Sequence, residues 1–381
     1  MPRLNLKYRL YENRRNARLN QTIDCSGIAW NHMVALQRRH YALTGKHIHK
    51  YDMARHMAKL RRRSPSFSYL KTIGSQALQD ISERQDRTWQ AFFKWVKTKS
   101  GAKKSPPKFQ KVKKYKSFTL KQAGWKYLGE NRIKIGKMVY KFALSRPLVG
   151  IIKTVTIKRD NLGKMWVTFS VVNDVPEFKN GMSKIGGFDF GLKTFLTNDD
   201  GKAYVNPLFL KKELSTIATL NRSLARKVKG SGNWYKAKRR LAKAHEDVSN
   251  KRRDFHFKLA KELATTYGIV CFEDLNVSAM TKLWGRKVSD LGFSNFLIIQ
   301  EYMCKKYGSE LVKIGRWQPT TKICSSCGHK QKMELSDRQF DCKECGFSLD
   351  RDHNAAINIK RAGASALGLE DVRGATPPIL A

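Results

Sequence analysis

The chain opens on Leu4-Asn5-Leu6-Lys7-Tyr8-Arg9-Leu10, where apolar and polar residues alternate with period two, the pattern of a half-buried strand. Residues 19–97 then switch to helical spacing. Within them Trp89, Phe92, Phe93 and Val96 fall at i, i+3, i+4 and i+7 and share one face, which we assign to helix packing rather than base stacking. Alternation returns between Ile151 and Val172 in two runs, Thr154-Val155-Thr156-Ile157 and Trp166-Val167-Thr168-Phe169, joined across Asp160-Asn161-Leu162-Gly163 as a hairpin. The order strand, helices, strands predicts a small β-barrel interrupted by a helical insertion.

From about residue 183 the pattern changes. Ile185-Gly186-Gly187-Phe188-Asp189-Phe190-Gly191, Thr194-Phe195-Leu196-Thr197 and Ala203-Tyr204-Val205, with a turn at Asn198-Asp199-Asp200-Gly201, predict a three-stranded meander. Two basic helices follow at about 209–229 and 233–266, broken at Gly230-Ser231-Gly232, and then an apolar strand Gly268-Ile269-Val270-Cys271-Phe272 that ends in Glu273. A helix at about 294–307 and a strand Leu311-Val312-Lys313-Ile314 complete an alternation of strands and helices, as in a ribonuclease-H-like α/β layer. Residues 365–381 carry Gly, Ala and Pro with little periodicity and are expected to form a disordered tail.

Charge narrows the partner. The chain holds 75 Lys+Arg against 31 Asp+Glu, a formal net charge of +44. Residues 1–160 hold 38 Lys+Arg and 8 Asp+Glu, a net of +30, so the first part of the chain is the main electrostatic platform for a polyanion. Residues 97–116 contribute nine lysines, no acid and Pro106-Pro107, a basic loop suited to phosphate. No apolar run approaches the roughly 20 residues of a membrane span, and MPRLNLKYRL lacks the apolar core of a signal peptide. A cytoplasmic protein is expected, and, if its polyanion is DNA, as the resemblance described below implies, one associated with the nucleoid when bound.

In a reducing compartment paired cysteines point to metal rather than disulfides. Cys324-Ser325-Ser326-Cys327 and Cys342-Lys343-Glu344-Cys345 form C-x2-C-x14-C-x2-C, each pair followed by a glycine, Gly328 and Gly346. Two such turns present four thiolates to one tetrahedral Zn2+ and leave no open position, so a structural zinc is expected. The other cysteines, Cys25, Cys271 and Cys304, sit in apolar or mixed contexts and are assigned to packing.

Three acids stand out. Asp189 lies inside an apolar strand, Glu273 ends another, and Asp352 begins the helical run Asn354-Ala355-Ala356-Ile357-Asn358-Ile359, which Asp350 could cap. A carboxylate in an apolar strand is costly unless it is paired or holds a cation. Phosphodiester hydrolysis with two Mg2+ ions needs such carboxylates to converge from separate elements.

Gly187-Phe188-Asp189-Phe190-Gly191, Phe272-Glu273-Asp274-Leu275-Asn276, Cys324-Ser325-Ser326-Cys327-Gly328 and Asp350-Arg351-Asp352-His353-Asn354-Ala355-Ala356-Ile357-Asn358-Ile359 stand in that order along the chain. In this order they resemble TnpB, the insertion-sequence-encoded protein related to compact type V CRISPR nucleases. The likeness extends to Trp30-Asn31, to Ser75-Gln76-Ala77-Leu78-Gln79 and to Arg316-Trp317-Gln318-Pro319. It implies a multidomain α/β protein: a wedge-like β-barrel (1–18 and 98–182) carrying a helical recognition insertion (19–97), then a RuvC-like nuclease domain (183–319 and 347–364) with an inserted zinc ribbon (320–346).

The resemblance further implies an RNA-guided DNA endonuclease. Asp189, Glu273 and Asp352 would be its catalytic triad on Mg2+, a guide RNA from its own element and double-stranded target DNA its partners, and a monomer is favoured. By position, Tyr51, Gln76, Gln79 and Thr119 would read the short duplex motif beside the target. One departure is visible: the family pattern Asp-Phe-x-His-Lys is here Asp254-Phe255-His256-Phe257-Lys258, with the histidine one place early and so turned by about 100° on a helix. Two other functions remain open, a guided repressor without cleavage and a transposase accessory protein. The His47-Ile48-His49 run matches a single-strand transposase motif only weakly, and surface histidines are the expectation there.

Overall fold

Leu6, Tyr8 and Leu10 are buried while Asn5, Lys7 and Arg9 face solvent, so the opening alternation does become a strand, β1 (Arg3–Arg9). The computed structural model describes residues 3–172, 183–316, 318–334 and 337–369, and divides into two compact units, Met1–Val175 and Pro176–Ala381.

In the first unit β1 leads into α1 (Asn16–Thr44), α2 (Lys50–Arg63) and α3 (Ser75–Thr98), followed by β2 (Ser117–Leu120), β3 (Trp125–Tyr127), β4 (Arg132–Ile135), β5 (Met138–Lys141), β6 (Ile151–Arg159) and β7 (Met165–Val172). An antiparallel sheet of order β1-β7-β6-β2 and a three-stranded sheet β3-β4-β5 meet at the bridge Leu10↔Phe142. The inward residues of β6 and β7, among them Val155, Ile157, Val167 and Phe169, share one core with Ile23, Met33, Val34 and Ile81 of the helices. Trp89 is buried in α3 and stacks on the half-buried Phe93 at 5.5 Å, with Tyr41 and His47 against the pair, so the start of that face is used for helix packing, whereas Val96, expected to share it, is exposed at the end of the helix. The lysine-rich loop after α3 is pinned through its backbone: Trp30 Nε1 donates to Lys108 O (3.0 Å) and Asn31 exchanges two hydrogen bonds with Gln110 (2.8 Å each). Within the same stretch Lys113 pairs with Asp24 (2.6 Å) and Lys116 donates to Asn161 Oδ1 (2.8 Å).

The second unit is built on β8 (Ile185–Phe190), β9 (Thr194–Asn198), β10 (Ala203–Val205), α4 (Phe209–Ala225), α5 (Gly232–Thr266), β11 (Ile269–Glu273), α6 (Val277–Trp284), α7 (Arg286–Leu291), α8 (Phe293–Tyr307) and β12 (Glu310–Ile314). It ends with the short hairpin β13 (Gln339–Asp341) and β14 (Ser348–Asp350) and then α9 (Arg351–Ala366). The sheet order is β10-β9-β8-β11-β12, with β8, β11 and β12 parallel. Phe188, Phe190, Val270 and Phe272 pack on one face with Leu259 and Leu263 of α5 and Phe293 and Phe296 of α8; Cys271, Val312 and Ile314 pack on the other with Ile359 of α9. This unit is therefore helix, sheet, helix in section. Of the tail assigned to 365–381, the first residues continue α9 to Ala366, and residues 370–381 lie outside the described residues. No helix among the described residues is long and apolar enough to cross a membrane.

His256, the shifted histidine, is fully buried on α5, stacked on Phe195 and edge to face with Phe296, with Nε2 3.0 Å from Leu291 O. Burial lowers its pKa to about 4. The native state thus holds His256 neutral where the unfolded chain would protonate it, at about 6.5. Stability from this group is complete above pH 6.5 and is lost as pH falls toward 4, by roughly 3 kcal/mol in all. Denaturant melts at neutral and acidic pH are expected to show that loss in the wild type, and a shallower acid dependence in His256→Phe. Equal slopes would remove His256 as the cause.

Candidate active site

Gly187 explains where Asp189 points. A Cβ on Gly187 would lie 2.2 Å from Ala356 O and 2.5 Å from Lys360 N, so α9 rests directly on β8 at that residue. Side chains alternate along a strand, and Phe188 and Phe190 fill the opposite core; Asp189 therefore faces the α9 side, toward the first turn of that helix, where Asp352 sits. The same rule applies to β11, whose Cys271 abuts Gly363 of α9 and whose Glu273 lies two residues on, at the carboxyl end. The chain thus brings all three acids to one face of the sheet, where the parallel strands end, the place where open α/β sheets hold their ligands.

Asp189 is only 9% exposed, and its pKa is raised well above the ordinary carboxylate range, first by burial and then by the charges of Asp352 and Glu273, with Arg351 opposing. Burial also raises Glu273, and Asp274 beside it adds to the shift. Arg316 offsets that second charge, donating to Asp274 Oδ2 at 2.7 Å. Arg351 donates to Asp352 Oδ1 from two nitrogens, at 3.3 and 3.2 Å. Carboxylates crowded to this degree favour a bound cation.

Helix α9 is held from both sides. Asp350 caps it, accepting from the backbone N–H groups of Asp352 and His353 at 2.9 and 3.1 Å, which fixes the turn that carries Asp352. On the sheet side Asp199 accepts from Gly187 N (3.0 Å) and from Lys360 Nζ (2.6 Å), while His353 Nε2 lies 3.1 Å from Asp199 O. On the far side Asn354 Oδ1 accepts from Ser325 N and its Nδ2 donates to Ile323 O, both at 2.8 Å. Asn358 donates to Thr320 O and Ile323 O (2.8 and 2.7 Å), and Arg361 donates to Ser325 O. These bonds grip the first cysteine turn. Asp199, Asn354, Asn358 and Arg361 were not singled out from the sequence, although 354, 358 and 361 follow the i, i+4, i+7 spacing of a helix face.

The four cysteines come together as a site that can hold one metal ion, with their sulfur atoms within 4.8 Å of one another. Cys324 Sγ lies 3.8 Å from Cys345 Sγ, and Cys327 Sγ 3.6 Å from Cys342 Sγ. Tetrahedral Zn2+ with bonds of about 2.3 Å would space its sulfurs about 3.8 Å apart, so the quartet fits that ion. Each turn closes in the same way, by Gly328 N to Cys324 O and Gly346 N to Cys342 O, and both glycines take the positive φ that the sharp reversal requires. Among the described residues this is the one such close cluster of metal-ligating groups; the three carboxylates are more widely spaced. Cys25, Cys271 and Cys304 are buried, and burial pushes the Cys271 thiol to about 12.

Of the residues assigned to duplex reading, Tyr51 and Gln79 line one groove between α2 and α3 together with Lys50, Arg55 and Arg61. Gln76 is half-buried on α3. Thr119 is engaged within the fold, its Oγ1 accepting from Arg84 Nη2 (2.8 Å) and lying 2.9 Å from Thr156 Oγ1. His49 is exposed as expected, but His47 is not a surface histidine: it is half-buried and joins Gln37 and Asp86 at 2.9 Å each, a network that fastens the turn before α2.

Residues 169–283 match the family model described as "Probable transposase", and residues 293–359 match "Cas12f1-like, TNB domain". The chain is 29% identical over 379 residues to a "Putative RNA-guided DNA endonuclease" of Streptomyces pristinaespiralis, which covers 96% of this chain and 90% of that protein. It is 26% identical over 358 residues to the "Putative RNA-guided DNA endonuclease InsQ" of Escherichia coli (strain K12), covering 89% and 86%. Over 240 residues it is 32% identical to "TnpB-like protein L770" of Acanthamoeba polyphaga mimivirus, covering 58% and 46%. By these matches the chain is similar to proteins named as TnpB-like or as RNA-guided DNA endonucleases. Its fold is that of the protein in the cryo-EM structure of a Cas12f1-sgRNA-target DNA complex, with a TM-score of 0.55 over 91% of this chain and 83% of that one, at 17% identity. The match to "Cas12f1-like, TNB domain" over 293–359 runs from the start of α8 through the cysteine quartet and into the half of α9 that carries Asp352 and its anchors.

Proposed function

We propose that this protein is an RNA-guided DNA endonuclease in which Asp189, Glu273 and Asp352 form a RuvC-like catalytic triad. The observation that carries the assignment is the meeting of three acids from β8, β11 and α9 on one face of the sheet, with Asp189 nine-tenths buried among like charges. Those three residues would hold Mg2+, which supplies the positive charge needed to activate water and to stabilise the leaving oxygen of a phosphodiester. The chain does the positioning: Asp350 orients the Asp352 turn, Arg351 offsets its charge, and Asp199 with Lys360 keeps α9 seated on the sheet.

We assign residues 1–18 and 98–182 to a wedge-like barrel, 19–97 to recognition, 183–319 and 347–364 to the nuclease and 320–346 to the zinc ribbon. The bridge between the two sheets of the first unit supports the barrel. The basic excess of residues 1–160 supports guide RNA and target DNA as partners, and the groove of Tyr51 and Gln79 is the favoured place for reading a duplex. Protein purified from cells carrying its native flanking sequence should retain one RNA derived from that locus. Recovery of only bulk cellular RNA would count against guidance.

The cysteine site takes structural Zn2+ in this account. Metal analysis should find about one zinc per chain, and Cys345→Ser should lower that content together with the melting temperature, because the hydroxyl is a poor substitute for thiolate. A reduced, folded, zinc-free wild type would contradict it.

A further inference from the structure

Helices α4 and α5 form an antiparallel hairpin whose far end carries a charge pattern that the carboxylate site does not use. Residues 222–243 hold nine Lys+Arg and no acid, whereas the acids of the hairpin, Glu213, Glu246, Asp247, Asp254 and Glu262, all lie nearer its base. At the base Arg252 Nη1 donates to Asp290 O at 3.3 Å; from there to Gly232 the helix extends about 30 Å. Along that stretch Ala237 and Val248 are buried where α5 packs on α4. Lys236, Arg239, Arg240 and Lys243 fall at i, i+3, i+4 and i+7 and form an exposed stripe about 100° wide beside that packing face. Among the described residues none of the nine cations is in an ion pair.

The tip is also aromatic and ordered. Ser231 caps α5 by accepting from Trp234 N at 3.1 Å; the rings of Trp234 and Tyr235 meet edge to face at 5.1 Å; Lys238 Nζ lies over Trp234 at 4.8 Å. Tyr235 remains 60% exposed. We propose that the α4–α5 tip is a binding surface for single-stranded nucleic acid, with Lys236, Arg239, Arg240 and Lys243 on the phosphates and Tyr235 stacked on an unpaired base. A cationic stripe beside an exposed aromatic side chain supplies what single strands need, a track for the backbone and a platform for bases. This inference rests on the nucleic-acid part of the proposed function, and on neither guidance nor cleavage.

The test uses the full chain, freed of bound nucleic acid, and fluorescence anisotropy with one mixed sequence as single-stranded RNA, single-stranded DNA and duplex DNA over a range of salt. The triple variant Lys236→Glu, Arg239→Glu, Arg240→Glu should bind a single strand at least roughly tenfold more weakly, with a salt slope smaller by about 2. Tyr235→Ala should lose roughly fivefold or more on single strands and little on duplex, and Tyr235→Phe should recover it. The single strand that shows the larger loss identifies the occupant. The corresponding triple alanine variant covers the case in which charge reversal unfolds the hairpin. Unchanged affinity and salt slope in the triple alanine variant, or equal loss on all three probes in Tyr235→Ala, would overturn this inference while leaving the nuclease assignment standing. A wild type that binds none of the probes would overturn both.

Discussion

Asp189→Ala is expected to reduce Mg2+-dependent DNA cleavage by about a thousandfold or more, with target binding within a few-fold of wild type. The size follows from the site: a carboxylate that helps hold a catalytic cation contributes several kcal/mol to the transition state, and each 1.36 kcal/mol is about a factor of ten in rate. Binding survives because affinity for nucleic acid resides in phosphate contacts, and +30 of the +44 net charge lies in residues 1–160, within the first unit, whereas Asp189 belongs to the second. Glu273→Ala and Asp352→Ala should behave in the same way. Gel shift and cleavage measured on the same preparations separate the two effects, and a variant that cuts at the wild-type rate takes that residue out of the triad.

Asn354→Ala should have the second largest effect, although Asn354 touches no part of the carboxylate cluster. It is fully buried, and its removal leaves Ser325 N without a partner and Ile323 O with Asn358 alone, a loss of about 1–3 kcal/mol. Because Asn354 ties the first cysteine turn to the helix that bears Asp352, the variant should release zinc to a chelator faster and melt earlier. Cleavage should fall roughly ten- to a hundredfold, the scale of a displacement of about 1 Å in a catalytic group. Asn354→Asp keeps the acceptor for Ser325 but not the donor to Ile323 and should fall between the two. Wild-type zinc retention in Asn354→Ala would show that the turn is held by other means.

The parts legible in the sequence are those in which one residue's chemistry conflicts with its surroundings or a spacing repeats. Asp189 and Glu273 are acids in apolar strands, and the C-x2-C pairs announce a metal by spacing alone. The helix break at Gly230-Ser231-Gly232 and the hairpin of β6 and β7 were visible for the same reason. Strands β3, β4 and β5, of three or four residues each, are too short to establish a period. The grip of Asn354 and Asn358 on the ribbon was hidden because their partners are backbone carbonyl and amide groups some 30 residues away, which leave no mark in the sequence. Asp199 looked like an ordinary turn acid; its bonds to Gly187 and Lys360 exist only once β8, β9 and α9 have come together. His256 stands one place early in the helix and still finds a buried seat, against Leu291 O, because α5 packs closely on α8 at that level.

The central claim joins guidance to the carboxylate cluster, and cleavage of matched and mismatched plasmids tests both at once. Wild type loaded with its locus-derived RNA should linearise a plasmid carrying the guide-matched sequence in Mg2+, spare one mismatched across the segment where pairing begins, and lose the activity on Asp189→Ala substitution. Cutting by RNA-free protein, without regard to the match, would contradict the account.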